Sequence, residues 1–175
     1  MIERADTLNN QAILLAKDGH FNEALACLRR AIHIDRNNYL VWFNLGITYR
    51  DAGDLPKAVD ALQNAFSISP DQEDVVEALC VACMNLHLLD RAFEFCEEGL
   101  DYHPTSARLW NLLGVLQFND NEFDDAAESF EMAVTINPYY LDALYNLHDT
   151  YIEQKNVNGV KITAMKIKEL EGNRK

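Results

Sequence analysis

Basic residues are scarce in this chain. Fifteen Lys and Arg stand against 28 Asp and Glu in 175 residues, for a formal charge of −13. Such a surface repels nucleic-acid backbones and anionic membranes over most of its area and permits a basic or neutral protein partner. The imbalance is uneven: residues 1–154 hold nine basic and 26 acidic residues, whereas 155–175 hold six and two. Long apolar runs are lacking too. Nothing approaches the roughly 20 apolar residues that cross a bilayer. The opening MIERADTLNN has no apolar stretch of signal-peptide length. A cytoplasmic location is therefore expected, and with it four cysteines held as reduced thiols.

Catalytic signatures are missing as well. The chain has no H-E-x-x-H, no G-x-S-x-G and no phosphate-binding glycine loop, and its five histidines fall at unrelated places. Neither enzyme activity nor a cofactor is expected.

What is present is a period. Pro70, Pro104 and Pro138 lie 34 residues apart, as do Ala24, Ala58, Ala92 and Ala126, and Leu45, Leu79, Leu113 and Leu147. Ala31, Ala65, Gly99 and Ala133 form a further series in the same phase. Independent series sharing one interval without an insertion mark a repeat array. The units are 5–38, 39–72, 73–106, 107–140 and a looser 141–175. Within each, the apolar spacing is helical and no strand is expected. Trp42, Leu45, Gly46 and Tyr49 share one face of a first helix, about 39–52; Ala58, Leu62 and Ala65 share one face of a second, about 55–68. Gly53-Asp54 breaks the pair, Pro56 suits the opening turn of the second helix, and Thr105 or Ser106 suits a helix cap. Gly46 and Gly114 stand mid-helix, in phase with Ala58 and Ala126. Small residues on both helices are expected to bring the two backbones close, with Trp42, Tyr49 and Leu62 closing around the contact. Burying each large side chain is worth about 1.5–3 kcal/mol, more than the ~1 kcal/mol a helical glycine costs.

These residues resemble the tetratricopeptide repeat. WFNLGITY (42–49) fits that family's W-x-x-L-G-x-x-Y, AAESF (126–130) its A-x-x-x-F, and Pro138 its closing proline. The end units depart, with Gln11, Ala12 and Arg36 in the first and Val160, Ala164 and Ile167 in the last, as expected of units that face water on one side. The resemblance implies an all-α solenoid of about ten helices stacked as antiparallel pairs in a superhelix, a single array over 1–175. It implies a concave groove lined by first helices that binds a peptide or helical segment of a partner protein, so the chain is an adaptor or scaffold. In the N-terminal units the groove residues would be Asn9, Asn10, Ile13, Phe43, Asn44, Ile47, Arg50, Glu77 and Val81. In the later units they would be Asn111, Val115, Phe118, Tyr145, Asn146 and Asp149. Asn10, Asn44 and Asn146 hold equivalent places, like the asparagine ladder of some such grooves, although Ala78 and Leu112 interrupt it. The family's clamp for acidic chaperone tails is not matched, since Asp74 and Ala78 replace its cations. A secretion chaperone holding an export substrate is the alternative from another class.

Other constellations have two readings each. Cys80, Cys83 and Cys96, with His87, have the residue types of a zinc site or a redox sensor, yet all three cysteines replace core residues of the repeat, where a thiol packs as a small hydrophobe. DNEFDDAAESFE (120–131) has acids spaced as in a calcium loop, but lacks its glycine and is needed for a second helix. Leu86 and Leu88, with Phe93 and Phe95, either form an apolar patch or fill volume left by the cysteines. The basic tail matches a helix C-terminal dipole, and Ile162 and Met165 are expected off its packed stripe, hinting at weak homo-oligomerisation through the last helix.

Overall fold

The turn inside every repeat unit closes in the same way. Gly19, Gly53, His87, Asn121 and Lys155, each 34 residues after the last, all adopt a positive φ between 57° and 84°. The following backbone N–H then reaches back over the helix end: His20 to the Leu15 carbonyl, Asp54 to Tyr49, Leu88 to Cys83, Glu122 to Gln117 and Asn156 to Tyr151, at 2.8–2.9 Å. This left-handed cap satisfies helix-end carbonyls that would otherwise lack donors. Only two of the five positions are glycine, although that conformation costs other L-residues about 1–2 kcal/mol.

The computed structural model describes residues 4–172. Among them are ten helices and no strand: α1 (Ala5–Lys17), α2 (Phe21–Ile34), α3 (Tyr39–Asp51), α4 (Leu55–Ile68), α5 (Glu73–Asn85), α6 (Leu89–Tyr102), α7 (Ala107–Asn119), α8 (Phe123–Ile136), α9 (Leu141–Glu153) and α10 (Val157–Gly172). Odd-numbered helices are the first of each pair. The bounds of α3 and α4 agree with those read from periodicity. Asn38, Asp54 and Ser106 cap α3, α4 and α7 through their side chains, and Pro56 lies in the first turn of α4. No described helix is long and apolar enough to cross a membrane.

The chain divides into two compact halves, one ending at Phe95 and the other beginning at Cys96, within α6. In the N-terminal half, α1 packs on α2 and α3, and α3 packs on α2, α4 and α5. In the C-terminal half, α8 and α9 pack on α7 and on each other, and α10 packs on α9. Ala24, Ala58, Ala92 and Ala126 are fully buried, as the shared phase requires.

At Gly46 the expected close approach is met, with Leu62 closing on the contact, whereas at Gly114 an aromatic ring takes the space. A Cβ on Gly46 would stand 2.5 Å from Leu62 Cγ, and one on Gly114 would stand 2.6–2.9 Å from three atoms of the Phe130 ring. The space is taken mainly by a large side chain from the second helix, which needs the missing Cβ; at Gly46 the Ala58 carbonyl oxygen also comes within 3.2 Å. Trp42 packs, partly buried, against the N-terminal core. Its indole N–H donates to the Arg36 carbonyl at 2.8 Å, and that of Trp110 donates to Pro104 at 2.9 Å, so both tryptophans pin the turn before their helix.

The last unit departs from its expected stripe. Gly159, Thr163 and Ile167 are the buried residues of α10, one helical turn apart, while Ala164 is exposed and Val160 half-buried. Here the packing is inverted, because Tyr151 of the first helix lies over Gly159 of the second. Ile162 and Met165 lie off that stripe, 52% and 65% exposed.

Candidate functional site

Two asparagine pairs tie first helices together. Asn44 Nδ2 of α3 donates to Asn9 Oδ1 of α1 at 2.9 Å, and Asn146 Nδ2 of α9 donates to Asn111 Oδ1 of α7 at 2.9 Å. Behind each donor a threonine hydroxyl returns to the helix, Thr48 to the Asn44 carbonyl and Thr150 to the Asn146 carbonyl, both at 2.7 Å. The pairs thus recur in both halves, each spanning 35 residues rather than 34. Asn44 is bonded to buried Asn9, one place before its repeat equivalent, whereas Asn10 faces solvent. The ladder read from Asn10, Asn44 and Asn146 is therefore two separate bridges that use Asn9 and Asn111.

A cavity of about 210 Å³ opens beside the second bridge, lined by Val115, Phe118 and Asn119 of α7, Phe130 of α8, and Asn146 and Asp149 of α9. Helical spacing explains the set: Val115, Phe118 and Asn119 fall on one face, as do Asn146 and Asp149. The floor is the Phe130 ring that lies over Gly114. Phe118 is held edge-to-face against Phe123, with ring centroids 5.2 Å apart. The bridge also orients Asn146, whose Nδ2 is committed to Asn111 while Oδ1 remains an acceptor. Asp149 is exposed and forms no ion pair among the described residues.

Four of the residues assigned to a groove by resemblance, Val115, Phe118, Asn146 and Asp149, thus meet around one cavity, with Asn111 bonded behind it. Asn119 and Phe130, outside the groove set that the resemblance implies, also line it. Asn119 lies one turn beyond Val115, a signal available in the spacing, whereas Phe130 reads as core. Tyr145 points elsewhere: its hydroxyl donates to Glu171 of α10 at 2.6 Å. In the N-terminal half Phe43, Ile47, Glu77 and Val81 are half-buried, Ile13 is exposed, and Arg50 donates from two guanidinium nitrogens to neighbouring Asp51 at 2.9 Å.

The cysteines sit in the core. Cys80, Cys83 and Cys96 have no exposure, and the Cys80 and Cys96 thiols donate to the Ala92 and Leu109 carbonyls at 3.5 Å. Burial raises the Cys83 pKa above that of an ordinary thiol, against a smaller lowering by Arg91, which disfavours a thiolate. Among the described residues no group of three or more His, Cys, Asp or Glu is placed to hold a metal ion. His87 is the left-handed turn residue, and α8 begins at Phe123 inside the calcium-like acidic stretch. Leu86 is half-buried and Leu88 exposed, while Phe95 stacks edge-on against Phe66 with centroids 5.3 Å apart.

Tetratricopeptide repeat profiles match residues 49–116 in one case, and residues 9–73 and 94–140 in another. The chain belongs to the tetratricopeptide repeat family. It is 31% identical over 153 residues to the peroxisomal targeting signal receptor of Candida albicans, covering 83% of this chain and 26% of that protein. This tetratricopeptide chain thus spans about a quarter of the length of that relative. Among solved structures it superimposes on MamA from Desulfovibrio magneticus RS-1 with a TM-score of 0.84 at 20% identity, covering 97% of this chain and 96% of that one. YrrB, described as a tetratricopeptide protein with an unusual peptide-binding site, gives 0.75 at 19% identity, covering 94% and 85%. These likenesses confirm the all-α solenoid fold of paired helices.

Proposed function

We propose that the chain is a non-enzymatic interaction module, a cytoplasmic adaptor or scaffold. In this reading its first helices hold a peptide or helical segment of a partner protein. One observation carries the reading: Val115, Phe118, Asn146 and Asp149, from two different first helices, converge on a single cavity with an aromatic floor. An apolar recess edged by a few fixed polar groups is what an anchoring side chain needs. A relative named as a targeting-signal receptor and a fold neighbour described by its peptide-binding site support the same class of ligand. In the N-terminal half, Phe43, Asn44 and Ile47 form a proposed lining of their own. The excess of carboxylates disfavours nucleic acid and anionic membrane as ligands. Exposed Ile162 and Met165 on α10 support weak self-association and nothing stronger.

The test is affinity capture from native cytosol with wild type, Phe43→Ala and Phe118→Ala. Loss of a wild-type partner from the variants, with unchanged far-ultraviolet circular dichroism, is expected. Equal capture by all three places the binding surface off the first helices.

A further inference from the structure

The cavity in the C-terminal half has a chemistry more specific than a peptide groove in general. Its apolar part is Val115, Phe118 and the Phe130 floor. A cavity of ~150 Å³ with apolar walls takes a benzene ring, so a space of about 210 Å³ here accepts one large aliphatic or aromatic side chain. Its polar edge is rich in acceptors. The Asn146 amide has committed a donor to Asn111, Asp149 contributes a carboxylate, and Asn119 adds an amide at the mouth. Residues 96–154 contain twelve Asp and Glu and a single basic residue, Arg108, the other basic residues of this half following from Lys155 onward. On the far side of the Phe118–Phe123 pair, Glu122, Asp124 and Asp125 line a second, open recess with Gln154, which donates to the Asp124 carboxylate at 2.8 Å. The occupant that complements this arrangement is rich in donors and positively charged around an apolar centre.

We infer that the cavity is a socket for one large apolar side chain of a partner segment whose flanking residues are Lys or Arg. The inference rests on the reading of the first helices as a binding surface, and narrows it to basic segments with an apolar anchor. The anchor supplies the buried area, while Asp149 and the acidic α7–α8 turn select the flanks and speed encounter. An acidic segment with the same anchor is rejected by like charge.

Three fluorescein-labelled synthetic peptides on a Gly/Ser background test this against the full chain by fluorescence anisotropy. One carries a central Phe flanked by lysine pairs, one the same Phe flanked by glutamate pairs, and one the lysine pairs around Ala. The lysine–Phe peptide is expected to bind at least about tenfold tighter than either control. Phe118→Ala is expected to weaken it about tenfold, and Asp149→Asn about threefold without tightening the lysine–Ala peptide. Asp149 is exposed, so its conversion to Asn does not threaten the fold, and circular dichroism checks Phe118→Ala. Equal or tighter binding of the glutamate-flanked peptide, still weakened by Phe118→Ala, removes the basic partner but leaves the groove. Equal binding of the two lysine peptides shows polyelectrolyte attraction and removes the socket. Affinities that ignore both substitutions, or binding by none of the peptides, overturn the groove reading and the socket together.

Discussion

Gly114 lies beneath the ring of Phe130, so close that a Cβ on the glycine would stand 2.6 Å from Cε1 of that ring. Three repeats earlier the equivalent places hold Ala12 and Leu28, both fully buried. At this register an aromatic ring covers Gly114, an aliphatic side chain covers Gly46, and Ala12 stands with Leu28. Gly114→Ala gains about 1 kcal/mol of helix propensity but forces a rigid ring from its seat, typically costing ~1–3 kcal/mol. A net loss of stability is expected in urea denaturation. Combining Gly114→Ala with Phe130→Leu rebuilds the Ala12–Leu28 pair, so the double variant should be more stable than the sum of the singles by about 1 kcal/mol. Strict additivity would show that the two residues do not share one volume.

The left-handed turns yield a prediction of the opposite sign. His87 and Lys155 hold φ of 57° and 58° with a side chain in place. Glycine there relieves about 1–2 kcal/mol of strain and costs about 0.4–1 kcal/mol through a more flexible unfolded chain. His87→Gly and Lys155→Gly should each stabilise by a few tenths to about 1 kcal/mol, read from the urea midpoint. Asn121→Gly should gain less, because asparagine tolerates this conformation. Destabilisation at both His87 and Lys155 would mean that their side chains hold the turn by contact.

These cases also show what the sequence discloses and what it hides. Helix identity and bounds were legible because Ala58, Leu62 and Ala65 recur at helical spacing in a fixed phase. The turn at Gly53 was legible through its glycine, whereas the same turn had only a weak signal in Asn121 and none in Lys155. Val115, Phe118, Asn146 and Asp149 were reachable through the resemblance, which assigns the groove to first-helix positions. The asparagine bridges were not, because the packing offset between neighbouring first helices shifts partners by one residue, and an exact repeat comparison selects Asn10 over Asn9. Phe130 reads from the sequence as the core phenylalanine of AAESF, and its second place, in the cavity lining, depends on the packing.

Thiol reactivity separates the cysteines. Cys80, Cys83 and Cys96 are fully buried, and desolvation raises the Cys83 pKa, while Cys27 is half-buried. Since the thiolate is the reactive form, native protein should release one equivalent with a disulfide-exchange reagent at neutral pH, from Cys27. The remaining three equivalents should appear at the rate of unfolding, and all four at once in denaturant. Rapid labelling of Cys83 in native protein would show that α5 opens locally far more often than its burial implies.

The tyrosines at equivalent places in the two halves are held by opposite charges. Tyr49 accepts from the Arg29 guanidinium at 2.9 Å, whereas the Tyr151 hydroxyl donates to Glu131 Oε1 at 2.5 Å. Burial first, and then the hydrogen bond and charge of Glu131, push the Tyr151 pKa well above that of an ordinary phenol. The folded state therefore keeps this proton after the unfolded chain has lost it. The stabilisation is fully present below the unfolded value of about 10 and is lost as pH rises toward the folded value. Tyr151→Phe removes that titration while leaving the ring over Gly159. The melting temperature of wild type should accordingly fall faster than that of Tyr151→Phe between about pH 9.5 and 11, with the two parallel near neutrality. Parallel curves throughout would mean that Glu131 swings away from the hydroxyl in solution and leaves Tyr151 an unremarkable phenol.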